Sequence, residues 1–254
     1  MYRQSPLRLI MEDQIILIDK PADISSFGVV AKIRGKLKAE FGHKIKVGHT
    51  GTLDPFATGL LILLSGKMTK KSAEFLKLDK IYEATLKLGY ISSTGDPEGE
   101  IRQYTEEQTQ QHPNEGGPEL GKARISASRL WRQAGWTRPE LDTVGSVANS
   151  FIGKITQTPP RFSAIKINGQ RAYKLARKGE NFEIPSRQIE IYSIDILNYN
   201  YPELKIRVHC SSGTYIRTLA EDIGKQLGTG AYLTALRRLR IGNYNVEDAE
   251  QLVL

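Results

Sequence analysis

Between Leu204 and Cys210 the chain alternates strictly: Leu204, Ile206, Val208 and Cys210 are separated by Lys205, Arg207 and His209. Successive side chains of a strand point to opposite faces, so this spacing predicts a strand with one buried face and one wet face. Ile189 to Leu197 carries the same period. Leu60 to Leu64 differs, being apolar throughout, and predicts a buried strand. It is the longest apolar run and is far too short to cross a bilayer. Further strands are expected at Ile15 to Ile18 and Ile81 to Leu88. Helices are expected from a Ser25 or Ser26 cap through Val29, Val30, Ile33 and Leu37, over Thr69 to Leu78, and over Leu219 to Leu227 with Gly228 closing the last. Strands and helices interleave without regular βα alternation. The expected fold class is therefore α/β of the α+β type, a mixed and largely antiparallel sheet flanked by helices.

The 254 residues, 39% hydrophobic and 25% charged, have the balance of an ordinary soluble globular protein rather than a disordered one. Cys210 stands alone, which excludes an internal disulfide framework and fits a reducing compartment. Glu12 and Asp13 interrupt the N-terminal segment before a signal-type apolar core develops, so a cytoplasmic location is expected. The four histidines have no metal-ligand spacing, and no Walker loop, dinucleotide fingerprint or nucleophile elbow is present. An enzyme built from this chain is expected to need neither metal nor organic cofactor.

The net charge of +8 is unevenly spread. Lys32 to Lys46 holds six basic residues and one acid; Arg161 to Lys178 holds six and none. Residues 93–120 carry seven acids against Arg102 alone. Charge by itself leaves two readings, a footprint for phosphates or solvated helix faces. Residues 102–124 are polar and rich in turn formers, and predict a long exposed loop or insertion.

The least ordinary stretch is GHTGTLDPFATGLL, Gly48 to Leu61. Glycines and threonines bracket one carboxylate, Asp54, and Pro55 biases Asp54 toward extended backbone. A carboxylate so placed serves as nucleophile or general base, or else caps its own turn. In SSGTYIRTLAED, Tyr215 and Arg217 are expected to project to one face at the end of an extended run. Such an arginine can hold a carboxylate ionised beside a ring that packs substrate; an ordinary surface ion pair and a core tyrosine would look the same.

Five ordered blocks decide between these readings. They are IDKPADISSF (Ile18 to Phe27), the Asp54 segment, DKIYEATLKLG (Asp79 to Gly89), TPPRFSAIKINGQRAYKLARKG (Thr158 to Gly179), and CSSGTYIRTLAEDIG followed by LRRLRIG. Together they resemble the TruB family of RNA pseudouridine synthases over roughly Ile15 to Glu247. The resemblance implies the pseudouridine synthase fold and isomerisation of uridine-55 in the T-loop of tRNA, without cofactor. It implies that Asp54 is the catalytic aspartate, that Arg217 pairs with it, and that Tyr82 stacks on the target uracil. It further implies that Tyr215 and Leu236 line the nucleotide pocket and that His49 supports the T-loop. Lys20, Arg171 and Lys174 join the expected substrate contacts, the last two within a basic segment that closes over RNA in the family.

The sequence departs from the family pattern in places. Asp23 stands where the family commonly has Gly, and Tyr90 to Asp96 replaces a threonine-rich, aspartate-containing stretch. The chain is longer than typical over about 102–142, where an acidic insertion is expected from the acids that cluster before residue 120. Only 12 residues follow Gly242, so a single catalytic domain spanning 1–254 is expected, without the PUA-type domain of many relatives. The expected partner is the tRNA T-arm, with no membrane, no obligatory protein partner and a monomeric state. Competing readings are a guide-RNA-dependent synthase, which the lack of a PUA-type domain disfavours, and a non-catalytic tRNA chaperone, which retention of Asp54, Tyr82 and Arg217 disfavours.

Overall fold

The structure, a computed structural model, describes residues 11–105 and 138–252. Most of the acidic insertion expected at about 102–142 therefore lies outside the described residues. The described residues fall into two compact units, one formed by residues 11–82 with 236–252 and the other by residues 83–105 with 138–235.

In the first unit β1 (Ile15–Lys20) runs antiparallel to β3 (Thr58–Ser65), and β2 (Val47–His49) also pairs with β3. The strand order is β14 (Glu250–Gln251), β1, β3, then the C-terminal part of β12 (Ala231–Ile241), with β13 (Tyr244–Asn245) folded back onto β12. Helix α1 (Ser26–Phe41) begins where the Ser25 side chain accepts the Gly28 N–H at 3.0 Å. It ends at Gly42, whose φ of 76° is the left-handed cap that glycine supplies without strain. The helix buries Val29, Val30, Ile33 and Leu37 against Ile16, Ile18, Leu61 and Leu63. The opposite face of β3 presents Leu60, Ile62 and Leu64 to Phe75, Ile241 and Val246. Strand β3 is thus covered on both sides, which is why it reads as an unbroken apolar run.

The helix expected over Thr69 to Leu78 is shorter and partly 3₁₀: a 3₁₀ turn over Gly66–Lys71 leads into α2 (Ser72–Leu76). The buried Lys80 ends it by donating to the Leu76 carbonyl at 2.9 Å. Strand β4 (Lys80–Leu88) then carries the chain from the first unit into the second.

In the second unit the order is β12, β4, β11 (Glu203–Cys210), β10 (Arg187–Asn200), β7 (Gly153–Gln157). Both β7 and β11 run antiparallel to β10. Leu204, Ile206, Val208 and Cys210 are completely buried, as their alternation predicts. On the other face Glu83 bridges Lys205 at 3.0 Å and Arg207 at 2.8 Å. Helix α3 (Leu141–Asn149) packs on β10 and on α5 (Ile216–Leu227), which Gly228 closes with φ 72°. Among the described residues the unit also holds two hairpins, β5 (Tyr90–Ser92) with β6 (Ile101–Gln103), and β8 (Lys166–Ile167) with β9 (Gln170–Arg171). The second turns on Asn168 and Gly169, both at positive φ, the type I′ geometry that suits a two-residue hairpin; α4 (Ala172–Arg177) follows it. The fold is thus mixed α/β with a mainly antiparallel sheet, as expected. No helix among the described residues is long and apolar enough to cross a membrane.

Candidate active site

The loop around Asp54 belongs to the first unit and is fastened almost residue by residue. Both the N–H and the hydroxyl of Thr50 donate to the Ile62 carbonyl, at 3.0 and 3.3 Å. The Leu53 N–H donates to Ser26 Oγ at 2.8 Å, and the same hydroxyl donates back to the Leu53 carbonyl at 2.9 Å. The Ala57 N–H closes a turn on the Asp54 carbonyl at 3.1 Å. The Pro55 carbonyl accepts from Lys20 Nζ and from the Asp23 N–H, both at 3.0 Å. Asp54 itself is half-buried. Segment 20–26 therefore acts as the mould of the Asp54 loop, which explains why both motifs occur in one chain. Asp23 has φ 63°, so it keeps the left-handed turn that glycine makes easily and that Asp tolerates better than most residues.

Lys20, expected among the substrate contacts, lies beneath the loop. Its side chain is completely buried, and its ammonium donates to the Pro21 and Ile24 carbonyls at 2.8 Å as well as to Pro55. It is a buried cation under the loop.

Arg217 anchors a second centre, within the other unit. Its guanidinium, 4% exposed, donates to Asp96 Oδ2 at 2.9 Å, to the Thr94 carbonyl at 2.9 Å and to the Phe162 carbonyl at 2.8 Å. Asp96 Oδ1 accepts from the Thr94 hydroxyl at 2.6 Å and the Glu98 N–H at 3.0 Å. Close by, Glu221 packs its carboxylate against Gly95. Burial pushes Glu221 above the usual carboxylate range, against the pull of Lys225 and Arg217. The neighbouring Asp222 is pushed up to about 7, again chiefly by burial.

Tyr215 and Arg217 do not share a face of an extended run. Strand β11 ends at Cys210; Tyr215 is the extended residue that starts α5, and Arg217 lies inside its first turn. The reason is local: Gly213, at φ 83°, turns the chain between them and the strand. Gln157, 1% exposed, clamps Tyr215 from both sides, donating to its carbonyl at 3.0 Å and accepting its N–H at 2.8 Å. The Arg187 guanidinium lies over the Tyr215 ring, 4.8 Å from its centre.

Comparison with known proteins turns these two centres into a family. Residues 36–116 and 124–216 match the N-terminal domain of the TruB family pseudouridylate synthases, and residues 217–253 match the tRNA pseudouridylate synthase B C-terminal domain. The chain belongs to the TruB family. Among its relatives, the tRNA pseudouridine synthase B of Phocaeicola vulgatus is 43% identical over 238 residues, 93% of this chain and 89% of that protein. The protein of the same name from Parabacteroides distasonis is 42% identical over 235 residues, 92% of this chain and 88% of that one. A chain in the crystal structure of a Cbf5-Nop10-Gar1 complex aligns with TM-score 0.61 and 26% identity, covering 95% of this chain and 52% of that chain. This TruB-family chain thus spans about half the length of that solved relative.

The remaining expected site residues of the TruB chain sort by unit. Tyr82 (8% exposed, on β4), Leu236 (8%, on β12) and His49 (on β2) accompany Asp54 in the first. The His49 Nδ1 accepts the Gly51 N–H at 3.4 Å. Arg171 and Lys174 are in the second and exposed, on β9 and α4; the Arg171 guanidinium donates to the Ala164 carbonyl. Asp96 and Gln157 carry no role in the sequence reading, and Ser26 enters it only as a candidate helix cap. Only Asp96 left a signal, as the lone carboxylate in the family's aspartate-containing stretch.

Proposed function

We propose that this protein isomerises uridine to pseudouridine in the T-loop of tRNA, at uridine-55, as a stand-alone cytoplasmic monomer without cofactor. The observation that carries this reading is the moulded loop presenting Asp54 in a chain of the TruB family. The reaction breaks the bond between the anomeric carbon and N1 and makes one to C5, with a proton lost from C5, one taken up by N1, and no net oxidation. Redistribution of bonds of this kind asks for an ionised carboxylate to meet the electron-poor sugar or ring. Asp54 is assigned that role, by attack on the anomeric carbon, addition to the pyrimidine, or removal of the ribose 2′ proton. Arg217 is assigned the role of keeping the reacting carboxylate ionised. Tyr82 is assigned the ring on which the uracil stacks once flipped from its loop, with Tyr215 and Leu236 beside the nucleotide and His49 against the T-loop. Tyr82 or Asp54 would take the C5 proton. The exposed cations of the 161–178 segment are assigned phosphate contacts.

The test uses the purified protein alone with an unmodified tRNA transcript labelled with tritium at uracil C5. Tritium release at one site is expected from the native protein, and Asp54→Asn is expected to abolish release while leaving RNA binding largely intact. Near-normal turnover by Asp54→Asn would remove Asp54 from the mechanism. Release only on addition of a guide RNA would favour the guide-dependent reading instead.

A further inference from the structure

The second arginine of LRRLRIG has a place in the first unit that the chemistry above leaves without a purpose. Arg237 and Arg238 are adjacent on β12 and go separate ways. Arg237 forms a two-point ion pair with Asp19, at 3.0 and 2.8 Å. Arg238 is 1% exposed and, among the described residues, pairs with no carboxylate. Its guanidinium is spent on backbone carbonyls: Nε donates to Leu60 at 2.8 Å, one terminal nitrogen to Gly51 at 3.1 Å and the other to Thr52 at 3.4 Å. These carbonyls lie on the two stems of the Asp54 loop, Gly51 and Thr52 leading in and Leu60 leading out.

Burying a cation without a counter-ion costs stability, and an apolar side chain of similar volume would normally serve packing better. What a guanidinium adds is direction. Its donors diverge in one rigid plane, so three acceptors bound to it are fixed relative to one another; an ammonium radiates its protons from a single point. The backbone is built to let it in. Strand β12 runs parallel to β3 with Arg238 opposite Gly59, whose φ is 102°. A Cβ on Gly59 would sit 2.3 Å from the Arg238 carbonyl oxygen. The close approach that brings Arg238 under the loop therefore requires glycine there.

We infer that Arg238 is a positioning residue for the reaction, setting the Asp54 carboxylate by tying both stems of its loop to β12. The inference rests on the reading of Asp54 as the reacting group. Misplacing a reacting group by about 1 Å costs on the order of 10²-fold in rate. Loss of the three ties acts on the chemical step and leaves tRNA affinity unchanged, because the buried Arg238 touches no RNA.

The experiment compares native protein, Arg238→Lys, Arg238→Met and Asp54→Asn in single-turnover tritium release at saturating protein, with tRNA binding and thermal unfolding measured on the same samples. Arg238→Lys keeps the charge and most of the volume and guards against a collapsed Arg238→Met. For both Arg238 variants the single-turnover rate is expected to fall about 10²-fold, with Kd for unmodified tRNA within about twofold of native. The inference is overturned by a native single-turnover rate in folded Arg238→Lys, or by a rate loss matched by an equal loss of tRNA affinity. Turnover by Asp54→Asn would instead overturn the functional reading, whatever the Arg238 variants do.

Discussion

Removing the Asp96 carboxylate should unseat Arg217. The pair is buried, each side chain 4% exposed, and joined at 2.9 Å. In Asp96→Ala the guanidinium keeps its carbonyl partners at Thr94 and Phe162 but loses the Asp96 carboxylate. The Thr94 hydroxyl and the Glu98 N–H also lose the Asp96 Oδ1 acceptor. Breaking a buried pair from one side costs about 3–5 kcal/mol. Unfolding entropy near 2.1 cal/mol/K per residue converts 1 kcal/mol into roughly 2 °C for a chain of this length. A Tm drop of about 6–10 °C follows. Differential scanning fluorimetry or calorimetry reads it directly. The double variant with Arg217→Met removes the guanidinium as well, so the two single losses should exceed the double loss by about 1.5 kcal/mol or more. A Tm change under about 2 °C in Asp96→Ala, or strict additivity in the cycle, would refute the reasoning.

Two further outcomes follow from the same geometry. Asp222, raised to about 7, holds a proton in the folded protein that the unfolded chain releases above its ordinary value of 3.8, so stability should fall as pH rises from about 4 to 7 and then level off. Asp222→Asn should flatten that decline and be more stable than native at pH 8 by about 2–4 kcal/mol, read from Tm against pH, with Glu221 leaving a residual slope of the same sign; parallel curves would exclude the effect. Arg171→Ala with Lys174→Ala should weaken tRNA binding and reduce the slope of log K against log salt by about 1 per lost phosphate contact, measured by filter binding between 50 and 200 mM salt; an unchanged slope would exclude these residues as phosphate contacts.

Much of the architecture was legible in the chain. The alternation in Leu204 to Cys210 and the unbroken run in Leu60 to Leu64 report one-sided and two-sided burial, and Ser25 marks the start of α1. Such signals are local: each depends on residues within a few positions and on the period of the element that carries them. The Asp54 segment and the family it belongs to were legible for the same reason, as fixed strings of unusual composition.

Partnership was not. Arg217 meets Asp96 across 121 positions, and Arg238 reaches Leu60, Thr52 and Gly51 across 178, 186 and 187. Lys20 reaches the Pro55 carbonyl across 35 positions, and its burial beneath the loop is not visible in the residues around it. A sequence announces its cations, but here most of their acceptors are backbone carbonyls, and every residue has one. Nothing in the string of side chains distinguishes the carbonyl that will be met from the many that will not. The sequence therefore determined which elements form and which groups carry charge, while only the tertiary structure decided which charges hold the loop and which face the solvent.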